Sequence, residues 1–326
     1  MSDYDITEIA SLEHDLVSGT MNSFVKIDAT HFILAYTGPD VDGFIKTFSI
    51  DGSYNITELH SLEHDIADVT YNSLVMIDAT HFILAYDSGA GAGFIKTFSI
   101  DGSYNITELH SLEHNVDRSR YNSFVKIDAT HFILAYGSGM YYYGYIKIFS
   151  IDGAYNITEI KSLEHIHDRS IFNSLVMIDA THFILAYTGP SDDGFIKTFS
   201  IDGSYNITEL HSLEHDIAKN WYNSFVKIDA THFILAYTRP DVDGCIKTFS
   251  IDGSYNITEL HSLEHDIADG TYNSLVMIDA THFILAYTGP GDDGFIKTFS
   301  IDGSYNITEL HSLEHDIDDY YNSLVM

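Results

Sequence analysis

One cysteine, one tryptophan and four prolines stand among 326 residues. The lone cysteine, Cys245, excludes a disulfide framework, so stability has to come from packing. It stands where the other units of the chain carry Phe44, Phe94, Tyr145, Phe195 and Phe295, and reads as a drifted apolar position. Basic residues are scarce as well, 15 against 48 acidic ones, for a formal charge of −33. Such a surface repels nucleic acid and anionic membranes, and neither is expected as a partner. No run approaches the ~18 apolar residues of a spanning helix. The opening MSDYDITE has neither the basic stretch nor the apolar core of a secretory signal, so a cytoplasmic location is expected.

What the chain has in abundance is itself. Ile-Thr-Glu returns at Ile6, Ile56, Ile106, Ile157, Ile207, Ile257 and Ile307, a period of 50 with one step of 51. Repeats of this length cannot bury their apolar faces singly and must stack on one another. Within the unit that starts at Ser53, NSLVMI and HFILAY are separated only by Asp78-Ala79-Thr80, a tight hairpin. GFIKTFSI is a third strand, and Asp101-Gly102-Ser103-Tyr104-Asn105 is a turn before ITELHSLEHD. That last segment also fits a helical stripe through Ile56, Leu59, Leu62 and Ile66, but the preceding turn and the need to complete a sheet favour a strand. Four strands per unit, apolar on both faces, make the blade of an all-β propeller, in one domain over residues 1–326.

The sequence LEHD, two strands, GFIKTFSIDG and a further strand resembles the blade of the WD-repeat class of propellers. Phe98-Ser99-Ile100-Asp101-Gly102 stands where that family carries Trp-Asp, and Glu63-His64 replaces its Gly-His pair. Kelch propellers are closer in period, but their paired glycines are missing. The resemblance implies a binding scaffold.

The ends bear on closure. The chain opens in a fourth-strand segment, Ile6 to Asp15, and finishes with Asn322 to Met326, the start of a seventh first strand. This predicts six complete blades plus partial terminal strands, from a seven-bladed parent whose sequence continues past Met326. First strands alternate between SFVK at Ser23, Ser123 and Ser224 and SLVM at Ser73, Ser174 and Ser274, the trace of a duplicated pair, until Ser323 breaks the alternation. Unclosed edges predict self-association.

Variation is confined to two sets of loops. The patches Leu16 to Met21, Ile66 to Tyr71, Val116 to Tyr121, Ile166 to Phe172, Ile217 to Tyr222, Ile267 to Tyr272 and Ile317 to Tyr321 join fourth strands to first strands; Thr37 to Asp42 and its counterparts join second to third. In an up-and-down blade both connections leave the same end of the sheet, so one face is variable. It carries Arg118, Arg120, Met140, Tyr141, Tyr142, Tyr143, Arg169, Trp221, Tyr222 and Arg239, the chemistry of a protein-binding or peptide-binding surface. The opposite face repeats Asp78, His81, Asp101, Tyr104 and Asn105, which could serve a glycan many times over or could simply be turn chemistry.

Three further motifs carry less. His60-x-x-Glu63-His64 matches a zinc-protease pattern that needs a helix, occurs five times and loses its first histidine at Ala10 and Lys161; its second histidine is expected to hydrogen-bond between strands. Asp40, Asp42, Asp241 and Asp243 are the candidate calcium ligands, two per loop, and no cofactor is otherwise expected. Asn55-Ile56-Thr57 and its copies are sequons that read as turn asparagines. Because near-identical blades supply the same residues everywhere, the expectation is a non-enzymatic scaffold.

Overall fold

The computed structural model describes residues 4–66, 68–89, 91–316 and 322–325. The patch Ile317 to Tyr321 lies outside the described residues, as do Ala67, Ala90 and Met326. Six antiparallel sheets of four strands follow one another along the chain, a six-bladed β-propeller. Blade 2 shows the pattern: Thr70–Asp78, His81–Ser88, Ala92–Ile100 and Ile106–Asn115, paired in that order. The ambiguous segment is a strand in all six blades; Ile56–Asp65 runs antiparallel to Gly43–Ile50. Among the described residues no helix is long and apolar enough to cross a membrane.

The six blades fall into two compact units. One holds blades 1–3, from Ile9 to Asp168, with Val325; the other holds blades 4–6, from Arg169 to Leu324, with the described residues of segment 1–8.

HFILAY lacks a polar side because alternate residues serve two neighbours. In blade 2, Phe82, Leu84 and Tyr86 pack on Ile33, Ala35 and Ile45 of blade 1. Ile83, Ala85 and Ile95 point the other way, onto Phe132, Leu134 and Phe149 of blade 3. The same exchange joins blades 4 and 5, and blades 5 and 6.

Polar groups then bind each blade to the next at fixed depths. Buried Lys96 reaches the His64 carbonyl of blade 1 at 2.6 Å and its own Glu108 at 3.0 Å. Thr97 Oγ1 donates to the Tyr155 carbonyl of blade 3 at 2.9 Å.

The histidine pair of the fourth strand reverses its expected roles in blades 1, 4 and 5; blade 3 has Lys161 in place of the first histidine, and in blade 2 His114 Nε2 lies 3.3 Å from Ser119 Oγ at the start of the next blade, as expected. The first, His60, accepts the Ile106 N–H of blade 2 at Nδ1, and His110, His211 and His261 repeat this. The second is an apolar plug: both ring nitrogens of His64, His215 and His265 are buried without a hydrogen bond. These rings lie edge-on to Tyr86, Tyr237 and Tyr287 at 4.8–5.1 Å. The cause is a glycine of the third strand that lets the imidazole lie against bare backbone. A Cβ on Gly194 would stand 2.6 Å from the His215 ring, and one on Gly244 2.4 Å from His265. Gly194→Ala should therefore destabilise the protein by about 1–3 kcal/mol in urea unfolding. Gly203→Ala, where a methyl meets nothing within 4 Å, should stay within about 0.5 kcal/mol of the parent.

The terminal segments keep the contacts of a blade without its ladder. In the later unit, Thr298 Oγ1 donates to the Tyr4 carbonyl at 3.0 Å, the Ile6 N–H to His311, and the Leu324 N–H to Ser274 Oγ at 2.9 Å. In the earlier unit, Lys46 donates to the His14 carbonyl and Tyr36 to Asp15. Residues 5–15 carry no strand, although the copies of this segment do. The outer-strand expectation for Ile6 to Asp15 is corrected in this respect: among the described residues, no third strand lies beside it to supply the hydrogen bonds.

Candidate functional site: the variable-loop face

Both sets of variable loops do leave the blades at one end, and backbone hydrogen bonds join them. The Val69 N–H, leading into blade 2, donates to the Val41 carbonyl at 2.7 Å in the second-to-third loop of blade 1. Asn220 to Asp192 and Gly270 to Val242 repeat the bond in the later unit, each at 2.8 Å.

A one-residue irregularity in every first strand shapes this end. The ladder slips between Thr70 and Ser73, and likewise in the other blades. At each slip a non-glycine residue is forced into the left-handed region: Met21, Tyr71, Tyr121, Phe172, Tyr222 and Tyr272, with φ from 50 to 57°. Bulges re-aim side chains, and this one turns an aromatic ring toward its neighbour. The amide of the following asparagine fastens the slip of the preceding blade. Asn122 Nδ2 donates to the Tyr71 carbonyl at 3.1 Å, and Asn223 to that of Phe172 at 3.2 Å.

On the earlier unit the bulge rings meet the loop residues in one cluster. Tyr71 and Tyr121 pack at 4.5 Å, and Tyr142 stands edge-on to Tyr121 at 6.0 Å. The Arg120 guanidinium lies over Tyr71 and Tyr142, 5.9 Å from each centroid. It donates to the Tyr142 hydroxyl at 3.2 Å and to Asp87 at 3.3 Å. Burial pushes the Asp87 carboxyl up, against the opposing pull of the Ser119 N–H and Arg120. Outside this cluster Tyr143 stacks on His167 at 4.3 Å and lies tilted against Tyr141 at 5.8 Å. Met140 and Tyr141 are 76% and 67% exposed, an apolar tip offered to solvent. Arg118 is exposed beside Gly91.

On the later unit a second cluster forms. Tyr222 packs between Phe172 and Tyr272 at 4.5 and 4.3 Å, and Trp221 adjoins both Phe172 and Tyr222. The Lys219 ammonium sits 3.6 Å from the Trp221 ring centroid, a cation–π contact. Arg169 is paired with Asp192, and Arg239 with Asp216 and Glu264. All four arginines of the chain thus stand at this end, whereas the six third-strand lysines are buried in the blades.

Tyr71, Tyr121, Phe172 and Tyr272 close variable patches of the sequence but are not among the binding residues expected from it. Their signal is the aromatic-Asn-Ser that recurs in the units, which places one ring at the same bulge each time.

The constant face is arranged differently. Asp78 and His81 do not meet Asp101, Tyr104 and Asn105 of their own blade. His81 stacks on Tyr155 of blade 3 at 3.7 Å, and the Tyr155 hydroxyl donates to Asp78 at 2.9 Å. Tyr104 makes the same clamp with His31 and Asp28 of blade 1. Asp101 accepts from the N–H groups of Ser103 and Asn105 and from the Asn105 amide. Burial raises the pKa of Asp78, but the Thr80 N–H, His81 and Tyr155 outweigh it and hold the carboxyl at about 2. The hydrogen-bonding atoms named for this face are thus engaged in turns and between blades. Among the described residues, the paired aspartates of the calcium candidates are joined by no third His, Cys, Asp or Glu side chain.

No protein-family model matches the sequence, and no curated protein matches it. Solved structures do match the fold. A periplasmic gluconolactonase of Pseudomonas aeruginosa aligns at a TM-score of 0.68 and 13% identity, over 90% of this chain and 84% of its own. Two structures of Sqt1 from Chaetomium thermophilum align at 0.59 and 0.60, with 11% and 12% identity, over 90% and 91% of this chain and 72% and 73% of theirs. At these identities the likeness shows the fold alone. It nevertheless corrects the expectation of a non-enzymatic protein, because the gluconolactonase builds an enzyme on this architecture. Similar blades constrain the framework; the loops that differ remain free to carry chemistry.

Proposed function

We propose that the chain is a binding propeller whose variable-loop face holds a protein or peptide partner. The observation that carries this reading is the Tyr71–Arg120–Tyr121–Tyr142 cluster. Rings pre-set by strained bulges and an arginine braced by Asp87 offer a large, stiff contact surface that loses little entropy on binding. The resemblance of the blade to the WD-repeat class supports the same use of the fold. So does the contrast between the faces, since the turn groups of the constant face are engaged within and between blades.

The test is selection of binders from a displayed peptide library, followed by titration against variants. Tyr142→Ala and Trp221→Ala probe the two clusters, and peptides recovered on one should lose at least about tenfold in affinity with the corresponding variant. Asp78→Asn on the other face should leave them unchanged, with one equivalent bound per chain. Peptides that bind both loop variants as tightly as the parent would overturn the assignment.

A further inference from the structure

Wherever the fourth-strand motif reads LEHD or LEHN among the described residues, the next residue is aliphatic and uncovered. Leu16, Ile66, Val116, Ile217 and Ile267 hold this place, each 79–88% exposed. One such residue is ordinary on a surface. Its return in loops that otherwise share little marks a repeated contact position on the variable-loop face.

In the earlier unit two of these residues sit on loops that are tied in pairs. The loop of Ile66 is held to the second-to-third loop of blade 1 by the bond from the Val69 N–H to the Val41 carbonyl, and Val41 is exposed as well. Val41 stands at φ 67°, a conformation in which a β-branched residue is strained, so its outward placement is built into the backbone. The loop of Val116 is held to that of blade 3: Asn115 Nδ2 donates to Ser138 Oγ at 2.8 Å and the Gly139 N–H to the Arg118 carbonyl at 3.3 Å. Val116 thereby joins the apolar tip of Met140 and Tyr141 on one braced patch.

The charge around these side chains decides what can cover them. Loops 15–21, 37–42, 65–71, 87–92, 115–121, 137–143 and 165–168 of this unit hold eight aspartates and two arginines, with neither lysine nor glutamate. Of the two arginines, Arg120 is paired with Asp87. Among the described residues the carboxylates of Asp40, Asp42 and Asp68 have no hydrogen-bond or ion-pair partner, and they flank Val41 and Ile66. The Asp117 carboxylate lies beside Met140, since a Cβ on the adjoining Gly139 would stand 3.0 Å from its Oδ2. A second copy of the chain, with its charge of −33, is repelled from such a surface, and so is an acidic segment of any protein.

We propose, resting on the reading of this face as a binding surface, that its partner is a basic amphipathic peptide segment. Apolar residues of the segment cover Ile66, Val116, Met140 and Tyr141, and lysines or arginines between them stand beside Asp40, Asp68 and Asp117. The charge selects the partner, and the apolar cover supplies the close contact.

Two displayed peptide libraries test this. They share their apolar positions, and every charged position is lysine or arginine in one and aspartate or glutamate in the other. Binders to the full chain should come from the basic library alone. Their affinity should fall by about tenfold or more with the double variant Met140→Ser, Tyr141→Ser, and as much with Asp40→Asn, Asp68→Asn. All four side chains project from loops, so both variants should keep the parent melting temperature. Oligolysine, which brings charge without apolar groups, should bind at least about tenfold more weakly than the selected peptides. Oligolysine that binds as tightly would overturn the proposal, because net charge alone would then account for binding. Binders from the acidic library would overturn it too. If Tyr142→Ala or Trp221→Ala abolishes their binding, the face still holds peptides and only the partner's charge is wrong; if neither does, the reading of the face fails with it.

Discussion

Acidification should unfold this protein from about pH 6.5 downward, well before carboxylates titrate. His64, His114, His215 and His265 lie in apolar slots where burial, then the charge of a nearby lysine, holds each imidazole down at about 3. An unfolded histidine takes a proton near pH 6.5. Between these values the unfolded chain binds protons that the folded chain refuses, so stability is full above about 6.5 and is lost as the pH falls toward 3. Each such group contributes up to about 1.4 kcal/mol per pH unit, and four together on the order of 5 kcal/mol per unit. Against a typical total stability of about 5–15 kcal/mol, that brings the acid midpoint between roughly pH 4 and 5.5. The clamp aspartates Asp28, Asp78, Asp179 and Asp229, held at about 2, add a second loss below about pH 4. Urea midpoints measured from pH 7.5 to 4.5 check the first phase. His265→Leu, which keeps the plug and removes the proton site, should reduce the slope by about a quarter. A slope that does not respond to this change would refute the account.

The framework was legible because it is written six times. An apolar run six residues long with no polar side can only be a strand buried on both faces, and HFILAY is that in every blade. The common end of the variable loops followed from strand order alone. The bulge did not, since one slipped residue leaves the period at 50 and looks in sequence like the edge of a variable patch. The histidine roles were hidden for another reason: spacing puts His60 and His64 on one strand but does not say which one meets the next blade and which meets a glycine. The clamp of His81 with Tyr155 was invisible too, because its halves lie 74 positions apart, in different repeats. Inferring the absence of chemistry from near-identical blades failed because the argument concerned the strands, whereas any differences that chemistry needs lie in the loops.

Phe82→Ala and Phe32→Ala should differ sharply in cost although the two residues share the same local sequence, THFILAY, and the same register. Phe82 pairs across the ladder with Phe98 and Phe32 with Phe48. Phe82 is fully buried, stacked on Phe98 at 4.9 Å and covered by Ile33, Ala35 and Ile45. Truncating it removes the ring from a filled site whose walls are held by backbone ladders on both sides. The expected loss is about 3–5 kcal/mol, of transfer and cavity terms together. Phe32 is only partly buried and lines an open cleft of about 320 Å³ with Leu12, Phe24, Leu34 and Phe48, so water already reaches one side of its ring. Its truncation enlarges an open cleft instead of creating a closed void, and the cost should be about half as large or less. Chemical denaturation of the two variants gives the comparison directly. Equal costs in the free chain would mean that the outer face of blade 1 is already covered in solution.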